Sequence, residues 1–180
     1  MEISLNFKLQ NSDFLAYHLY ASSKSKNQNR QRLMVRILVP AFYFLLYLTL
    51  FLRYGIRVID LWLVLFAISW LAFYPLYSKW KYKRHFLKTV EENYQNRINQ
   101  PISIRLEEDQ IFIKDFTSES TIETSAIKEL IETKDHFFIK LKTEISLIIP
   151  KEAIENHTEF KDRLALFGAQ YIDELNWKWD

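Results

Sequence analysis

Histidine and cysteine are the residue types that most often hold metals or act as nucleophiles, and this chain contains few of them. Its 180 residues include no cysteine, which excludes disulfides, thiolate zinc sites and cysteine nucleophiles. The four histidines lack the HxxxH or HExxH spacing that brings two imidazoles to one helix face; they are His18, His85, His136 and His157. We therefore predict no metal and no cofactor.

The densest group of carboxylates is Glu107, Glu108 and Asp109, residue types that serve as general acids and bases in many enzymes. These residues lie between two short segments of alternating polarity, where charged side chains are typical of a hairpin turn. The two glycines, Gly55 and Gly168, are too few for a loop that binds phosphates, and no serine lies in a GxSxG motif. We predict that the protein is not an enzyme and has no catalytic residues.

Two long apolar segments occupy the first half of the chain. They cover about residues 33–52 and 58–77, and each is long enough to cross a hydrocarbon core of about 30 Å as a helix. Residues 53–60 leave room only for a tight return, in which Gly55 can adopt a positive φ. We predict a transmembrane helical hairpin in residues 33–78, retained in the mature protein because the first segment lacks a cleavage motif.

Basic residues flank the predicted hairpin at both ends. Seven of them are expected at the membrane surface, where they would attract lipid headgroups: Arg30, Arg32, Arg36, Lys79, Lys81, Lys83 and Arg84. The connector contains only Arg53 and Arg57 as basic residues. By the positive-inside rule, both termini of this multi-pass protein would face the cytoplasm.

The segments next to the hairpin show two different periodicities. Within residues 1–32, alternating polarity over Ile3–Leu9 predicts a strand, and a helix from about Asp13 is expected to end in a solvated basic turn. Residues 79–100 are predicted to form a basic juxtamembrane helix that Pro101 ends.

Residues 101–180 are predicted to form a cytoplasmic domain. Six short runs are typical of an antiparallel meander with one apolar face: 102–106, 110–115, 120–124, 127–133, 136–141 and 144–150. A helix over about residues 157–174 would then pack an apolar stripe on the sheet, formed by Phe160, Leu164, Phe167 and Tyr171. We expect the N-terminal strand to join this sheet and cover one of its edges.

Three segments carry a resemblance to a known family: DFLAYH at residues 13–18, ISIRLEEDQIFI at residues 102–113, and IKELIETKDHFFIKLKTEISLIIPKEAI at residues 127–154. Together with the two apolar helices, they make the chain similar to the bacterial YcxB-like membrane proteins. The resemblance implies a membrane α+β fold, in which a transmembrane hairpin carries a small antiparallel, pleckstrin-homology-like β-sandwich closed by a C-terminal helix. It also implies a bacterial cytoplasmic membrane location, and it supplies no catalytic residues.

Charge excludes one class of partner. Residues 101–180 contain seventeen acidic and ten basic side chains, a formal charge of −7, which repels phosphodiester backbones, so no nucleic acid is expected. Besides the lipid bilayer, the expected partner is a protein that binds at a sheet edge or at the seam between the sheet and the final helix, and a second copy of the chain is a further candidate. Trp177 and Trp179 are candidate docking residues, with packing on their own domain as the alternative.

Two functions fit these features. In the first, a non-enzymatic integral membrane protein anchors a pleckstrin-homology-like domain that binds or regulates another protein. In the second, a small membrane-stress or toxin-immunity factor acts through its transmembrane helices on a partner in the bilayer. The two differ in which part of the chain recognises the partner, residues 101–180 or the hairpin.

Overall fold

The computed structural model describes residues 3–179, which form two compact units. Unit 1 contains residues 3–18 and 87–178, and unit 2 contains residues 19–86 together with residue 179. Two helices connect the units. Helix α1 (Asn11–Lys24) begins in unit 1 and ends in unit 2, and α3 (Leu61–Asn93) begins in unit 2 and ends in unit 1.

Unit 2 is built on two long helices, α2 (Lys26–Tyr54) and α3. They run antiparallel, because the Tyr43 and Phe66 rings lie 4.6 Å apart and Arg36 near the start of α2 donates a hydrogen bond of 3.4 Å to the carbonyl of Leu71. Both helices are long and apolar enough to cross a membrane, and in their most apolar 18-residue windows 6% and 17% of the residues are buried. Their apolar side chains therefore face outward, as they would not in the core of a soluble protein.

The connector between these helices is tight, as the sequence predicts. Gly55 has a φ of 72°, and its N–H donates to the carbonyl of Phe51 over 2.9 Å, which ends α2. The Arg57 guanidinium then holds both carboxylate oxygens of Asp60, at 2.7 and 2.9 Å, in the short turn Val58–Asp60 before α3.

Two predicted features next to the hairpin differ in the structure. The basic segment after the second apolar run is not a separate helix over residues 79–100, since it is the continuation of α3 and ends at Asn93. The solvated turn expected before the first run is absent from this part of the described chain, because Ser25 caps α2 and the helix starts at Lys26. The Ser25 hydroxyl accepts the N–H of Gln28 over 3.4 Å, so the polar residues that follow continue a helix.

Unit 1 contains two four-stranded sheets. The first has the order β1-β2-β3-β4 and is antiparallel; its strands are Ile3–Lys8, Pro101–Leu106, Gln110–Lys114 and Glu119–Glu123. The second has the order β7-β6-β5-β8, and its strands are β5 (Ile127–Thr133), β6 (His136–Leu141), β7 (Ser146–Pro150) and β8 (Gln170–Glu174). The expected pairing of the N-terminal strand is confirmed, with Ile3 opposite Leu106 and Phe7 opposite Ile102.

The single antiparallel meander predicted for residues 101–150 is wrong in two respects. A short 3-10 turn at Thr124–Ala126 separates β4 from β5, so the strands divide between two sheets. The second sheet is also mixed, because β8 pairs with β5 in parallel. Alternation of polarity is a property of one strand, and it leaves the partners of that strand undetermined.

The predicted C-terminal helix is also too long. Helix α4 covers His157–Leu166, and the chain then turns at Gly168, which has a φ of 82°, into β8. Phe160 and Leu164 form the expected apolar stripe and are fully buried, whereas Tyr171 lies on β8. A left-handed glycine two residues after the last helical residue is a strong helix stop, and Tyr171 and Ile172 after it are residue types enriched in strands.

One buried cluster joins both sheets and α4. From the first sheet it includes Leu5, Ile104, Leu106 and Ile111, and from the second Leu130, Phe137, Ile139 and Ile149; α4 contributes Phe160 and Leu164. Helix α4 therefore packs its apolar stripe against the shared core at the seam between the sheets and the final helix.

A buried carboxylate also lies at this seam. Glu132 on β5 is 5% exposed, and its oxygens accept hydrogen bonds from Lys151 at 2.6 Å, Tyr171 at 2.6 Å and Lys161 at 3.2 Å. Burial alone would raise the pKa of Glu132, but the hydrogen bonds from these three groups outweigh it and lower the pKa to about 2. The same contact raises the pKa of Tyr171 to about 12. The cluster links β5, α4 and β8.

We predict that Glu132→Gln lowers the stability of unit 1 by about 3 kcal/mol, because it leaves two lysines beside a neutral partner. The thermal midpoint of the full chain in detergent, followed by tryptophan fluorescence, should fall by about 10 °C. Because the folded pKa of Glu132 is depressed, the difference between wild type and variant should be full above about pH 5 and vanish as the pH falls from 4.5 towards 2. Glu152→Gln, at an exposed carboxylate of the neighbouring turn, is the control. Equal midpoints for wild type and Glu132→Gln at pH 7 would contradict the prediction.

Candidate functional site

The first sheet of unit 1 has an apolar strip that forms the floor of an open groove of about 370 Å³. Phe7 on β1 lies opposite Ile102 on β2, and Ile104 lies opposite Ile113 on β3. Ile102 and Ile104 are two residues apart, so the four side chains share the face that also supplies the core. Ile104 is buried in the shared core, whereas Phe7, Ile102 and Ile113 are half-buried and line the groove.

Strand β7 forms one wall of the groove. Four consecutive residues line the cavity there: Ile145, Ser146, Leu147 and Ile148. Ile145 precedes the strand, and the other three belong to it. Successive side chains of a strand point to opposite faces, so a cavity that borders three in a row runs along the edge of the strand. This edge is the outer one, because β6 occupies the other side of β7 and the sheet order ends at β7. Edge strands present unpaired N–H and C=O groups along this side.

The opposite wall consists of aromatic side chains from α1 and from the end of α3. Phe14 and Tyr94 stack with ring centroids 4.5 Å apart, and Tyr17 meets Phe138 edge to face at 5.4 Å. Phe14 also belongs to a small buried cluster with Leu9 and Val90, against which Ile148 packs. The start of α1 is thus fixed beside the groove by ring packing.

A hydrogen bond between the side chains of His136 and Asp13 holds the same helix. His136 Nε2 lies 2.9 Å from Asp13 Oδ1, and the two side chains are 11% and 14% exposed. Asp13 also accepts the N–H of Gln10 through Oδ2 at 2.7 Å, as a helix-capping carboxylate does. Burial raises the pKa of Asp13, but the hydrogen bonds from His136 and Gln10 prevail and lower it below its ordinary value. The pair fastens α1 to β6.

The mouth of the groove carries exposed apolar and charged residues. Phe116 and Ile145 are 66% and 62% exposed. Phe116 lies on a turn that Asp115 stabilises by accepting the N–H groups of Thr117 and Ser118, each at 2.7 Å. Arg97 is exposed, and among residues 3–179 its guanidinium has no ion pair. Its N–H donates to the carbonyl of Tyr94 over 2.8 Å, which places Arg97 at the end of the groove where Ile148 lies.

The two predicted locations for a protein partner therefore differ. Phe160 and Leu164 are buried at the seam between the sheets and α4, but beside β1 the seam opens into a cavity of about 480 Å³ whose lining includes Ser4, Asn156 and Glu159. The outer edge of β7 is open and lies above an apolar floor. Both locations offer space, and the groove beside β7 is the one that combines a sheet edge with an apolar floor.

The basic residues predicted at the membrane surface have different environments in unit 2. Arg32 donates to the carbonyl and the hydroxyl of Ser22, at 3.1 and 2.6 Å, and its guanidinium lies 4.4 Å from the centre of the Tyr82 ring. Arg36 contacts the Leu71 carbonyl, Arg84 lies over the ring of Trp80, and Lys79 is half-buried. The exposed members of the set are Arg30, Arg36, Lys81, Lys83 and Arg84. Arg32 thus serves packing within unit 2.

The two candidate docking tryptophans are separated between the units. Trp179 belongs to unit 2, where its Nε1–H donates to the carbonyl of Lys79 over 3.5 Å and Arg32 lies 4.8 Å from its ring centre. Trp177 belongs to unit 1, and its N–H donates to the carbonyl of Glu174 over 2.9 Å. Both are half-buried.

The histidines have structural partners. His136 pairs with Asp13, and His157 Nε2 lies 3.0 Å from the carbonyl of Lys151. Within residues 3–179, no three histidine or carboxylate side chains lie close enough together to hold a metal ion. The groove was not predicted as a site because its lining comes from distant segments, although DFLAYH supplies two of the lining residues, Phe14 and Tyr17.

Comparison with known proteins supports the family resemblance over one third of the chain. Residues 106–165 match the family model described as YcxB-like protein, so the stretch from the end of β2 to α4 is YcxB-like, as predicted. This stretch includes β7 and the turn that carries Phe116, and it excludes β1 and α1. No curated protein and no solved structure matches the chain.

We predict that Asp13→Asn loosens the start of α1, because a neutral amide loses the charge-assisted hydrogen bond with His136, worth about 2 kcal/mol. Hydrogen exchange of residues 11–18 in the full chain should become several-fold faster, while β5 remains protected. The stabilising effect of Asp13 should be present above its ordinary pKa and be lost as the pH falls through the lowered one. Asp162→Asn, at an exposed site on α4, is the control. Unchanged exchange in residues 11–18 would show that ring packing alone holds the helix.

Proposed function

We propose that this chain, whose residues 106–165 are YcxB-like, is a non-enzymatic membrane protein that presents a protein-binding domain to the cytoplasm. In this proposal α2 and α3 form a transmembrane hairpin in the bacterial cytoplasmic membrane. Unit 1 is a pleckstrin-homology-like β-sandwich closed by α4, and it binds or regulates a second protein. The open groove beside β7 is the observation that carries the proposal.

The proposal of a membrane hairpin is supported by exposure. Leu52, Ile56 and Trp62 near the connector and Phe42 and Phe73 on the helices are at least 63% exposed, which water would penalise and lipid would favour. Connectivity supports an even number of crossings, because β1 precedes both helices, β2 follows them, and the two strands pair. A segment that leaves one sheet and returns to it ends on the side where it began.

The proposal of a β-sandwich is supported by the arrangement of the core. Two four-stranded sheets share one buried cluster, and α4 packs against it. With one end closed by a helix and another left open beside an edge strand, such a domain has a place to bind a polypeptide. The formal charge of −7 in residues 101–180 disfavours nucleic acid there.

The absence of cysteine from the sequence allows the membrane topology to be tested with single introduced thiols. We predict that Ile56→Cys, at a connector site that is 78% exposed, reacts with a membrane-impermeant maleimide in spheroplasts. Lys134→Cys, in the exposed turn between β5 and β6, should react only after the membrane is permeabilised. The cysteine-free parent is the blank. Labelling of Lys134→Cys in intact spheroplasts would overturn a cytoplasmic domain.

The binding function can be tested by photo-crosslinking in intact cells with a benzophenone amino acid at position 116. We predict a discrete protein adduct in the full chain, which disappears when Ile145→Asp is added at the groove mouth and persists with Leu166→Asp. Leu166 is 78% exposed on α4 and does not line the groove, so it is the matched control. Absence of an adduct at position 116, with adducts formed instead from the apolar faces of α2 or α3, would favour a function carried by the helices.

A further inference from the structure

We infer that the groove binds an extended peptide segment of the partner as an additional strand on β7, apolar at alternate positions and acidic at the Arg97 end. This inference rests on the proposed function, since it names the chemistry of the partner for that same groove.

The shape of the groove favours a strand over other ligands. The cavity follows the edge of β7 for three residues, 146–148, and its floor is the apolar inner face of β1, β2 and β3. A strand paired with β7 would extend the second sheet over the part of the first sheet that it leaves uncovered. Alternate side chains of the added strand would point down onto Phe7, Ile102 and Ile113. An acyl chain could fill the same floor but would leave the N–H and C=O groups of the edge unpaired.

The length of the ligand follows from β7. This strand has five residues, so the paired part of the ligand is about five residues, or about 17 Å. Three alternate apolar side chains of such a segment would cover the floor. Phe116 and Ile145, both exposed at the mouth, would then be covered by the ligand as well.

The charge at one end of the groove indicates where the ligand carries an acidic group. Arg97 is at the end of the groove near Ile148, and its guanidinium has no ion pair among residues 3–179. Asp115 also lines the groove, but its carboxylate accepts hydrogen bonds from its own turn and forms no ion pair with Arg97. An acidic side chain or a C-terminal carboxylate in the ligand would complement Arg97.

The test uses the full chain in lipid nanodiscs as bait for a display library of random linear nonapeptides. We expect enriched peptides with apolar residues at positions i, i+2 and i+4 and an acidic residue next to them. Binding of a fluorescent copy of the best peptide should fall at least tenfold in the variant carrying both Phe116→Asp and Ile145→Asp, and should be unchanged in Leu166→Asp. Failure to enrich any peptide, or enrichment without this spacing, would overturn the inference.

Backbone pairing has its own signature. N-methylation of alternate amides in the peptide should weaken binding at least tenfold in one phase of the alternation and leave it nearly unchanged in the other, because only every second N–H faces β7. A loss that is equal in both phases would exclude strand addition.

The role of Arg97 is tested by charge reversal. Arg97→Glu should weaken binding of the acidic peptide about fivefold, and replacing the acidic residue of the peptide by lysine should restore binding to this variant. Lys134→Glu, at an exposed site outside the groove, should have no effect. Restored binding would also show that the variant is folded. If the lysine peptide does not bind Arg97→Glu, the placement of the acidic residue is overturned.

Two other outcomes separate this inference from the proposed function. A phospholipid that native mass spectrometry finds bound to the full chain, and that is lost in the double groove variant, would assign the groove to acyl chains and overturn the inference. If the photo-crosslinked protein adduct is insensitive to Ile145→Asp, the anchored domain binds its partner elsewhere and only the inference fails. Peptide binding in nanodiscs without any adduct in cells would instead contradict the proposed function.

Discussion

The pairing of β1 with β2 is the constraint on which the other features depend. The two strands lie on opposite sides of both long helices in the sequence, and yet they pair over six residues, from Ile3 opposite Leu106 to Lys8 opposite Pro101. Closing so long a loop costs conformational entropy, which the hydrogen bonds of the ladder and the burial of Leu5 must offset. The same pairing places Phe7 in the groove floor and brings α1 to β6, so the N-terminal segment is part of the domain.

Two buried ionic groups define this domain at different places. The Glu132 cluster links β5 to α4 and β8, whereas the Asp13–His136 pair links α1 to β6. A buried charge is costly unless its partners are in place, so each group penalises alternative packings more than it stabilises the native one. Each group holds a helix or a turn in one position, whereas a purely apolar contact would allow that element to slide.

Much of the fold follows from the sequence, because local patterns are strong in this chain. Seven of the eight strands lie within alternating runs, and the two long helices coincide with the uncharged segments. The division of the strands between two sheets did not follow from the sequence. Alternating polarity within a strand does not distinguish one sheet from two, or a parallel from an antiparallel neighbour. The helix predicted over residues 157–174 proved too long because the 3.6-residue spacing of apolar residues continues by chance across Gly168. The groove was equally hidden, because its floor, wall and rim come from four separate segments.

An open apolar edge is a hazard for a freely diffusing protein, because it can pair with any exposed strand. Native sheets commonly protect such an edge with charges or proline, yet β7 has the sequence SLIIP, in which proline comes only at the buried end, and its rim carries Phe116 and Ile145. Anchoring to a bilayer would lessen this hazard by limiting the orientations and encounters of the domain. It would also raise the local concentration of any partner in the same membrane, so a short segment of modest affinity would suffice for recognition. The exposed edge and the apolar helices are therefore consistent parts of one design.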